Sequence, residues 1–121
     1  MILVAIVTYN GLKWIDSLLQ PFLYDRDQLE IAVVDNASTD GTPDEIEKRY
    51  PFVRVLRRPS NLGFGAANNL LMEEVQAKEC YEGIFLLNQD ASISAETIRA
   101  LADYSQQHPE IGILSPLHLS S

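Results

Sequence analysis

Short apolar runs rich in β-branched residues recur along the chain, and polar turn residues close most of them. Such runs are typical of strands that are buried on both faces of a parallel sheet. They lie at residues 2–7, 31–34, 53–57, 84–87 and 111–114. The third run alternates apolar with charged residues, which predicts a strand nearer the sheet edge with one wetter face.

Segments whose apolar residues recur at helical spacing lie between these runs. The first segment is expected to end or bend at Pro21, because proline lacks the N–H that a helix interior needs. Thr42, Pro43 and Glu45 match the N-cap, the first-turn proline and the N3 acid of a capping box. This pattern predicts that the second helix covers residues 44–50.

Two further helices complete the pattern. One is predicted over residues 66–80, and Ser94 is expected to cap another that ends at His108. Strands that alternate with helices in this way connect through right-handed crossovers into a parallel sheet. The sequence therefore predicts a single α/β domain of 121 residues, with helices on both faces of its sheet.

Charge and cysteine content narrow the classes of function. The formal net charge is −8 and the pI is about 4.5, which argues against nucleic acid as a partner. Cys80 is the single cysteine, so it forms no internal disulfide, and it has no neighbours at metal-site spacing. The run at residues 2–7 is too short to span a membrane and lacks the features of a signal peptide. These observations favour a reducing, cytoplasmic compartment.

Polar side chains follow three of the predicted strands at the point where each strand ends. They are Thr8, Tyr9 and Asn10 after the first, Asp35 and Asn36 after the second, and Asn88 and Asp90 after the fourth. Open α/β sheets bind ligands beyond the carboxyl ends of their strands. An aspartate at such a place also serves turns and helix caps, but Thr42 and Asn36 are expected to fill those roles here. We therefore expect a ligand site at this edge that includes Asp35.

Four motifs occur in the order found in one enzyme family. They are VAIVTYN at residues 4–10, DNASTDGT at 35–42, NLGFGAANN at 61–69 and LLNQD at 86–90. Together they resemble the nucleotide-sugar-binding half of family-2 inverting glycosyltransferases, over nearly the whole chain. The resemblance, with the short spacing of strands and helices, implies a Rossmann-like sheet of the GT-A type, truncated at its C-terminal end. The expected strand order is third, second, first, fourth, with the fifth strand on the far side.

In the family that the chain resembles, residues after the first two strands hold the nucleotide. The resemblance implies that Asp35 accepts hydrogen bonds from the base or ribose and that Tyr9 lies beside the base. Asn88, Gln89 and Asp90 correspond to the family's Asp-any-Asp site, where a divalent ion, Mg²⁺ or Mn²⁺, neutralises the leaving diphosphate. Asn88 replaces the first aspartate of that site, so Asp90 is expected to be the sole charged protein ligand of the metal.

A glycine-rich loop precedes the third predicted helix. Gly63 and Gly65 do not have the dinucleotide-binding spacing, but a loop-to-helix transition presents backbone N–H groups to an anion. The resemblance implies that this segment borders the donor sugar, with Asn68 or Asn69 near the pocket. Simple close packing of the glycines is the alternative.

Other residues that could carry chemistry give weaker signals. Arg57 and Arg58 either reach the diphosphate or form a solvated pair on the edge strand. Trp14 and the other scattered aromatic residues are interpreted as core or surface residues rather than as a stacking platform. His108 and His118 have no partner at triad spacing, so the sequence identifies no general base.

The favoured function is sugar transfer, with inversion, from a UDP- or dTDP-linked sugar to a glycan or lipid-linked acceptor. The motif variants are most similar to those of bacterial rhamnosyltransferases, which favours dTDP-rhamnose and polysaccharide biosynthesis at the inner face of the membrane for a longer enzyme. In the resembled family the general base lies further along the chain. We therefore expect these 121 residues to form the donor-binding half, with an uncovered C-terminal surface that favours a homodimer.

A non-catalytic nucleotide-binding or interaction module on a doubly wound sheet is the alternative function. A response-regulator type needs carboxylates at the ends of the first and third strands, and residues 8–10 and 57–58 supply none. A sugar nucleotidyltransferase needs a basic glycine-rich loop after the first strand, and Gly11, Leu12 and Lys13 fall short of one.

Overall fold

The computed structural model describes residues 1–107. Within them, one parallel sheet is formed by β1 (Ile2–Thr8), β2 (Leu29–Asp35), β3 (Arg54–Arg57) and β4 (Gly83–Asn88). The strand order is β3-β2-β1-β4, which confirms the predicted α/β class and the predicted order of these strands. The predicted fifth strand at residues 111–114 lies outside the described residues.

Helices connect the strands. The first connection contains α1 (Ile15–Leu19), which lies between two 3₁₀ turns, Leu12–Trp14 and Gln20–Phe22. Because Pro21 is in the second turn, the α-helix ends just before it, as predicted. The other helices are α2 (Thr42–Arg49), α3 (Phe64–Ala77) and α4 (Ala95–Gln107). Among residues 1–107, no helix is both long enough and apolar enough to cross a membrane.

The predicted capping box of α2 is wrong. The helix begins at Thr42, and Gly41 takes the N-cap position with a φ of 86°, a left-handed conformation that glycine adopts readily. Asp40 supplies the side-chain acceptor instead, since its Oδ1 accepts a hydrogen bond from the Thr42 N–H at 3.0 Å. The Thr42 hydroxyl donates to Asp40 and accepts from the Gly11 N–H at 3.1 Å. The start of α2 is thus attached to the loop that follows β1.

The third helix also differs from its prediction, because α3 begins and ends earlier than residues 66–80. It starts directly after Gly63, and it ends where Lys78 adopts an extended backbone conformation. Cys80 therefore lies beyond the helix, where it is exposed as a free thiol.

Both faces of the sheet are covered, as predicted. Every residue of β1 is buried, and its side chains alternate between two apolar clusters. One cluster contains Val4 and Ile6 with residues of α1, α2 and α4. The other contains Ala5 and Val7 with residues of α3. Burial on both sides fixes the register of β1, because a slip by one residue would exchange its two faces.

Candidate functional site

The register of the sheet brings the predicted strand ends together. Thr8 lies opposite Asp35 in the β1–β2 pair, and Val7 lies opposite Asn88 in the β1–β4 pair. Since all these strands are parallel, the polar residues that follow them meet at one edge. Asp35 and Asp90 are therefore at the same end of the sheet, as the sequence predicted.

A cavity of about 410 Å³ opens at this edge. Its lining is formed by Val7, Tyr9, Trp14, Asn36, Asn61, Gly63, Phe64, Asn88, Gln89 and Asp90. Five of the predicted site residues are among them. The others, namely Thr8, Asn10, Asp35 and Asn68, do not line the cavity in the described structure. The five that line the cavity are placed where a ligand in it could touch them.

Asp35 is a supporting residue in this geometry. It is only 2% exposed, and its Oδ1 accepts hydrogen bonds from the Thr8 hydroxyl at 2.7 Å and the Ser38 hydroxyl at 2.6 Å. Its Oδ2 accepts from the Ser38 N–H at 3.0 Å. The expectation that neighbours would free Asp35 from turn duties is therefore wrong, because the carboxylate itself closes the turn. Its contact with a base or ribose stays a prediction.

Asn10 joins the loop after β1 to the loop after β2. Its N–H donates to the Ser38 hydroxyl at 2.8 Å, and its Oδ1 accepts from the Thr39 N–H at 2.8 Å. Its φ of 47° is a left-handed value that asparagine tolerates better than most residues. Asn10 therefore shapes the site without lining its cavity.

Asn36 links the same loop to the start of α3. Its Nδ2 donates to the Gly63 carbonyl at 3.1 Å, while its Oδ1 is buried and has no hydrogen-bond partner within residues 1–107. Gly63 precedes α3 with a φ of 89° and a ψ of 167°, a backbone conformation confined almost entirely to glycine. The requirement for glycine at position 63 is therefore conformational, and it places the first turn of α3 on the cavity rim.

Asn68 and Asn69 lie within α3 and not on the cavity wall. Asn68 is buried at 5% exposure, and its Oδ1 also has no partner in the part of the chain that the structure describes. Asn69 is exposed. The expectation that one of them borders the pocket is not met by this geometry.

Asn88 and Asp90 both line the cavity, and their side chains carry oxygen atoms of the kind that ligate a cation. Among residues 1–107, there is no group of three or more His, Cys, Asp or Glu side chains that could hold a metal. One carboxylate and one amide carbonyl are hard donors that suit Mg²⁺ or Mn²⁺, ions that commonly take remaining ligands from water and phosphate oxygens. The donor set fits a metal that arrives with a diphosphate.

Arg57, the last residue of β3, and Arg58, which follows it, were expected either to reach the diphosphate or to form a solvated pair on the edge strand. The structure favours the second interpretation. Arg57 pairs with Asp44 at 2.8 Å and with Glu47, both on α2. These ion pairs are exposed, and each contributes little to the stability of the fold. Neither Arg57 nor Arg58 lines the cavity in the described structure, so the diphosphate role is not supported.

Aromatic side chains form more of the cavity wall than the sequence indicated. Trp14 lines it, with the Lys13 ammonium 4.4 Å from the ring centroid, and so does Phe64. The sequence predicted Trp14 to be a core or surface residue rather than part of a stacking platform, and it did not indicate that Trp14 would line the cavity. The available signal was its position shortly after the turn that closes β1, which places it at the carboxyl edge.

Gln89 has no role of its own in the sequence prediction, but the structure gives it one. Its Oε1 accepts a hydrogen bond from the Tyr9 N–H at 2.9 Å, and its Nε2 donates to the Tyr9 carbonyl at 3.2 Å. The contact joins positions that are 80 residues apart. No local pattern in the sequence marks such a contact.

Asp40 lies in the loop after β2, and the acidity of its carboxyl group is shifted. Burial disfavours its charged form, but hydrogen bonds from the Thr42 hydroxyl and from the Leu12 and Thr42 N–H groups outweigh that effect. The pKa of the Asp40 carboxyl is therefore below its ordinary value. The charge of Asp40 helps to hold the loops after β1 and β2 together.

Solved structures with a similar arrangement of elements include glycosyltransferases. S. aureus TarS in complex with UDP-GlcNAc has a TM-score of 0.71 and 27% identity, over 88% of this chain and 31% of that one. The mannosyltransferase PcManGT from Pyrobaculum calidifontis, in complex with GDP-Man and Mn²⁺, has a TM-score of 0.64 and 28% identity. That match covers 84% of this chain and 30% of the other.

Sequence comparison gives the same family. An N-acetylglucosaminyl-diphospho-decaprenol L-rhamnosyltransferase of Mycobacterium tuberculosis is 32% identical over 122 residues, which cover 94% of this chain. The chain spans about 40% of that relative's length. The β-monoglucosyldiacylglycerol synthase of Synechocystis is 30% identical over 67% of this chain and 17% of its own length. The sequence model described as Glycosyl transferase family 2 matches residues 3–118, so the chain belongs to glycosyl transferase family 2.

Proposed function

We propose that the chain binds the nucleoside-diphosphate sugar of a glycosyltransferase that transfers the sugar with inversion. The donor is a UDP- or dTDP-linked sugar, with dTDP-rhamnose favoured, and the acceptor is a glycan or a lipid-linked saccharide. The observation that carries the proposal is the cavity at the carboxyl ends of the strands, where aromatic rings and oxygen ligands face the same space.

The aromatic part of the wall suits the base and the sugar. Tyr9 and Phe64 are about half exposed at 47% and 48%, and both line the cavity with Trp14. Flat apolar rings of this kind bury ligand surface and leave their polar edges free for hydrogen bonds. Such a wall favours a nucleoside over a purely anionic ligand such as free phosphate.

The polar part of the wall suits a diphosphate with its metal. Asp90 and Asn88 would hold the Mg²⁺ or Mn²⁺, and the ion would neutralise the charge that develops on the leaving diphosphate. The first turn of α3 reaches the rim through Gly63 and Phe64 and has no acidic residue. Its free N–H groups and the helix dipole favour a negative charge there.

The relatives support the proposed class of donor and the proposed class of acceptor. One acts, by its name, on a decaprenol-linked diphosphosaccharide with rhamnose, and two solved neighbours hold UDP-GlcNAc or GDP-Man with Mn²⁺. Those molecules belong to the relatives. For this chain they support a nucleotide sugar as the ligand class and a lipid-linked saccharide as the acceptor class.

Calorimetric titration of the 121-residue chain tests the proposal. We expect UDP or dTDP to bind more tightly with Mn²⁺ than without it, and GDP to bind less well. Asp90→Asn should remove the metal-dependent gain, whereas Asp103→Asn, at an exposed position of α4, should leave it intact. Failure of both UDP and dTDP to bind in the presence of Mn²⁺ would contradict the proposed function.

A further inference from the structure

We propose that Gln89 is a positioning residue, whose side-chain amide fixes the Tyr9 wall of the cavity relative to the turn that carries Asp90. The proposal rests on the proposed function, because it assigns Gln89 a part in binding the nucleoside diphosphate. It does not require Gln89 itself to touch the ligand. Three observations carry it: the hydrogen bonds to Tyr9, the packing at Gly11, and the place of Gln89 between two cavity residues.

The hydrogen bonds continue the sheet beyond its last backbone pair. The β1–β4 pairing ends at Val7 and Asn88, and the two chains lead into separate loops after that point. There the Gln89 side-chain amide makes the two hydrogen bonds that the backbone of a neighbouring strand would otherwise make. It accepts from the Tyr9 N–H at 2.9 Å and donates to the Tyr9 carbonyl at 3.2 Å. A primary amide suits this role because it has an acceptor and donors in one plane.

The Gln89 amide lies directly against the backbone at Gly11. Gly11 has an ordinary backbone conformation, with a φ of −102°, so a side chain would cause no backbone strain there. The three nearest atoms to an added Cβ would all belong to the Gln89 side chain. Its Oε1 would be too close, its Cδ would lie at a tight 3.0 Å, and its Nε2 would be in ordinary contact at 3.7 Å. Glycine at position 11 therefore leaves room for the Gln89 amide.

The amide completes the support of the Tyr9 segment. On the side of β2, Thr8 is held by Asp35 and Asn10 by Ser38. On the side of β4, Gln89 holds Tyr9 itself, and the next residue is Asp90. The Gln89 side chain thus sets the distance between Tyr9 and the proposed metal-binding carboxylate of Asp90. Both of these residues have to contact the same nucleoside diphosphate.

The test uses the 121-residue chain, UDP and dTDP with Mn²⁺, and the isosteric variant Gln89→Met. This change keeps the length of the side chain and removes both hydrogen bonds to Tyr9. We expect affinity for the better-bound diphosphate to fall about tenfold, the size expected for one or two lost hydrogen bonds. Gln76→Met, on the exposed surface of α3, is the matched control and should bind like the parent.

Hydrogen exchange of the Tyr9 amide supplies a readout that does not depend on ligand. Exchange of this amide should accelerate about tenfold in Gln89→Met and remain unchanged in Gln76→Met, because only the first variant removes its acceptor.

Gly11→Ala is the second variant, because its added methyl group would collide with the Gln89 amide and displace it. We expect it to weaken diphosphate binding in the parent and to have little further effect when combined with Gln89→Ala, because the collision is then absent. Parent-like affinity in both Gln89→Met and Gly11→Ala would overturn the positioning role and leave the proposed function standing. If the parent binds neither diphosphate, the proposed function and the positioning role both fail.

Discussion

The buried contact between Asp35 and Thr8 predicts a large loss of stability from one substitution. In Asp35→Ala, the Thr8 hydroxyl, which is fully buried, loses the acceptor that it has within residues 1–107. An orphaned buried donor costs about 1–3 kcal/mol. Ser38 is less buried, so water replaces part of what its two lost hydrogen bonds supplied. We expect the free energy of unfolding to fall by about 2–4 kcal/mol.

Urea denaturation of the parent, the single variants and the double variant measures this effect. Thr8→Val removes the hydroxyl at nearly constant volume, so adding it to Asp35→Ala removes the orphaned donor. We expect Thr8→Val to cost about 1 kcal/mol or more in the parent and almost nothing on top of Asp35→Ala. Asp103→Ala, at an exposed position of α4, should change stability by no more than about 0.5 kcal/mol.

Two results would refute this reasoning about Asp35. One is a loss below about 0.5 kcal/mol for Asp35→Ala, within the range of ordinary surface substitutions. The other is full additivity of the two substitutions, which would show that the hydroxyl and the carboxylate do not act as a pair. Nucleotide affinity measured on the same variants, under conditions where they are folded, separates this supporting role from any ligand contact.

Two further predictions concern the loops around the cavity. Gly63→Ala should cost about 1–3 kcal/mol in thermal unfolding because the backbone conformation at this position is almost confined to glycine. Gly65 lies in α3, and a Cβ added there would have no atom within 4 Å. Gly65→Ala should therefore be neutral or stabilising by up to about 1 kcal/mol. Equal losses of stability in the two variants would contradict the conformational argument. The lowered pKa of Asp40 adds stability that is present above the unfolded value of about 3.9 and is lost as the pH falls through the folded value. The parent should therefore exceed Asp40→Asn in urea stability at pH 7, and the gap should narrow below about pH 4; a gap that does not vary with pH would disprove the assignment.

Two local properties of the sequence predicted the parallel sheet, and the order of its strands rested also on the resemblance to a known family. Continuous apolar runs indicate strands buried on both faces, and short helical connections permit only right-handed crossovers between parallel neighbours. These rules, with the resemblance to a known family, placed Tyr9, Asn36, Asn88 and Asp90 at one edge, where the structure has them.

The errors arose where contacts between distant positions decide a side chain's role. Asp35 looked free in its own loop, but the register of β1 against β2 sets the Thr8 hydroxyl beside it. The Gln89 contact with Tyr9 depends in the same way on the pairing of β1 with β4. At α2, Gly41 and Thr42 are both acceptable N-cap residues, and a difference of one residue in the helix start decided between them.

The central claim is that the cavity at the strand ends binds a nucleoside diphosphate together with a metal held by Asp90. Paramagnetic broadening of backbone amide signals by Mn²⁺, recorded with and without UDP or dTDP, locates the ion directly. We expect the amides of residues 88–90 to broaden when the diphosphate is present, and this broadening to disappear in Asp90→Asn. Broadening centred on another acidic surface, or an identical pattern with and without the diphosphate, would contradict the claim.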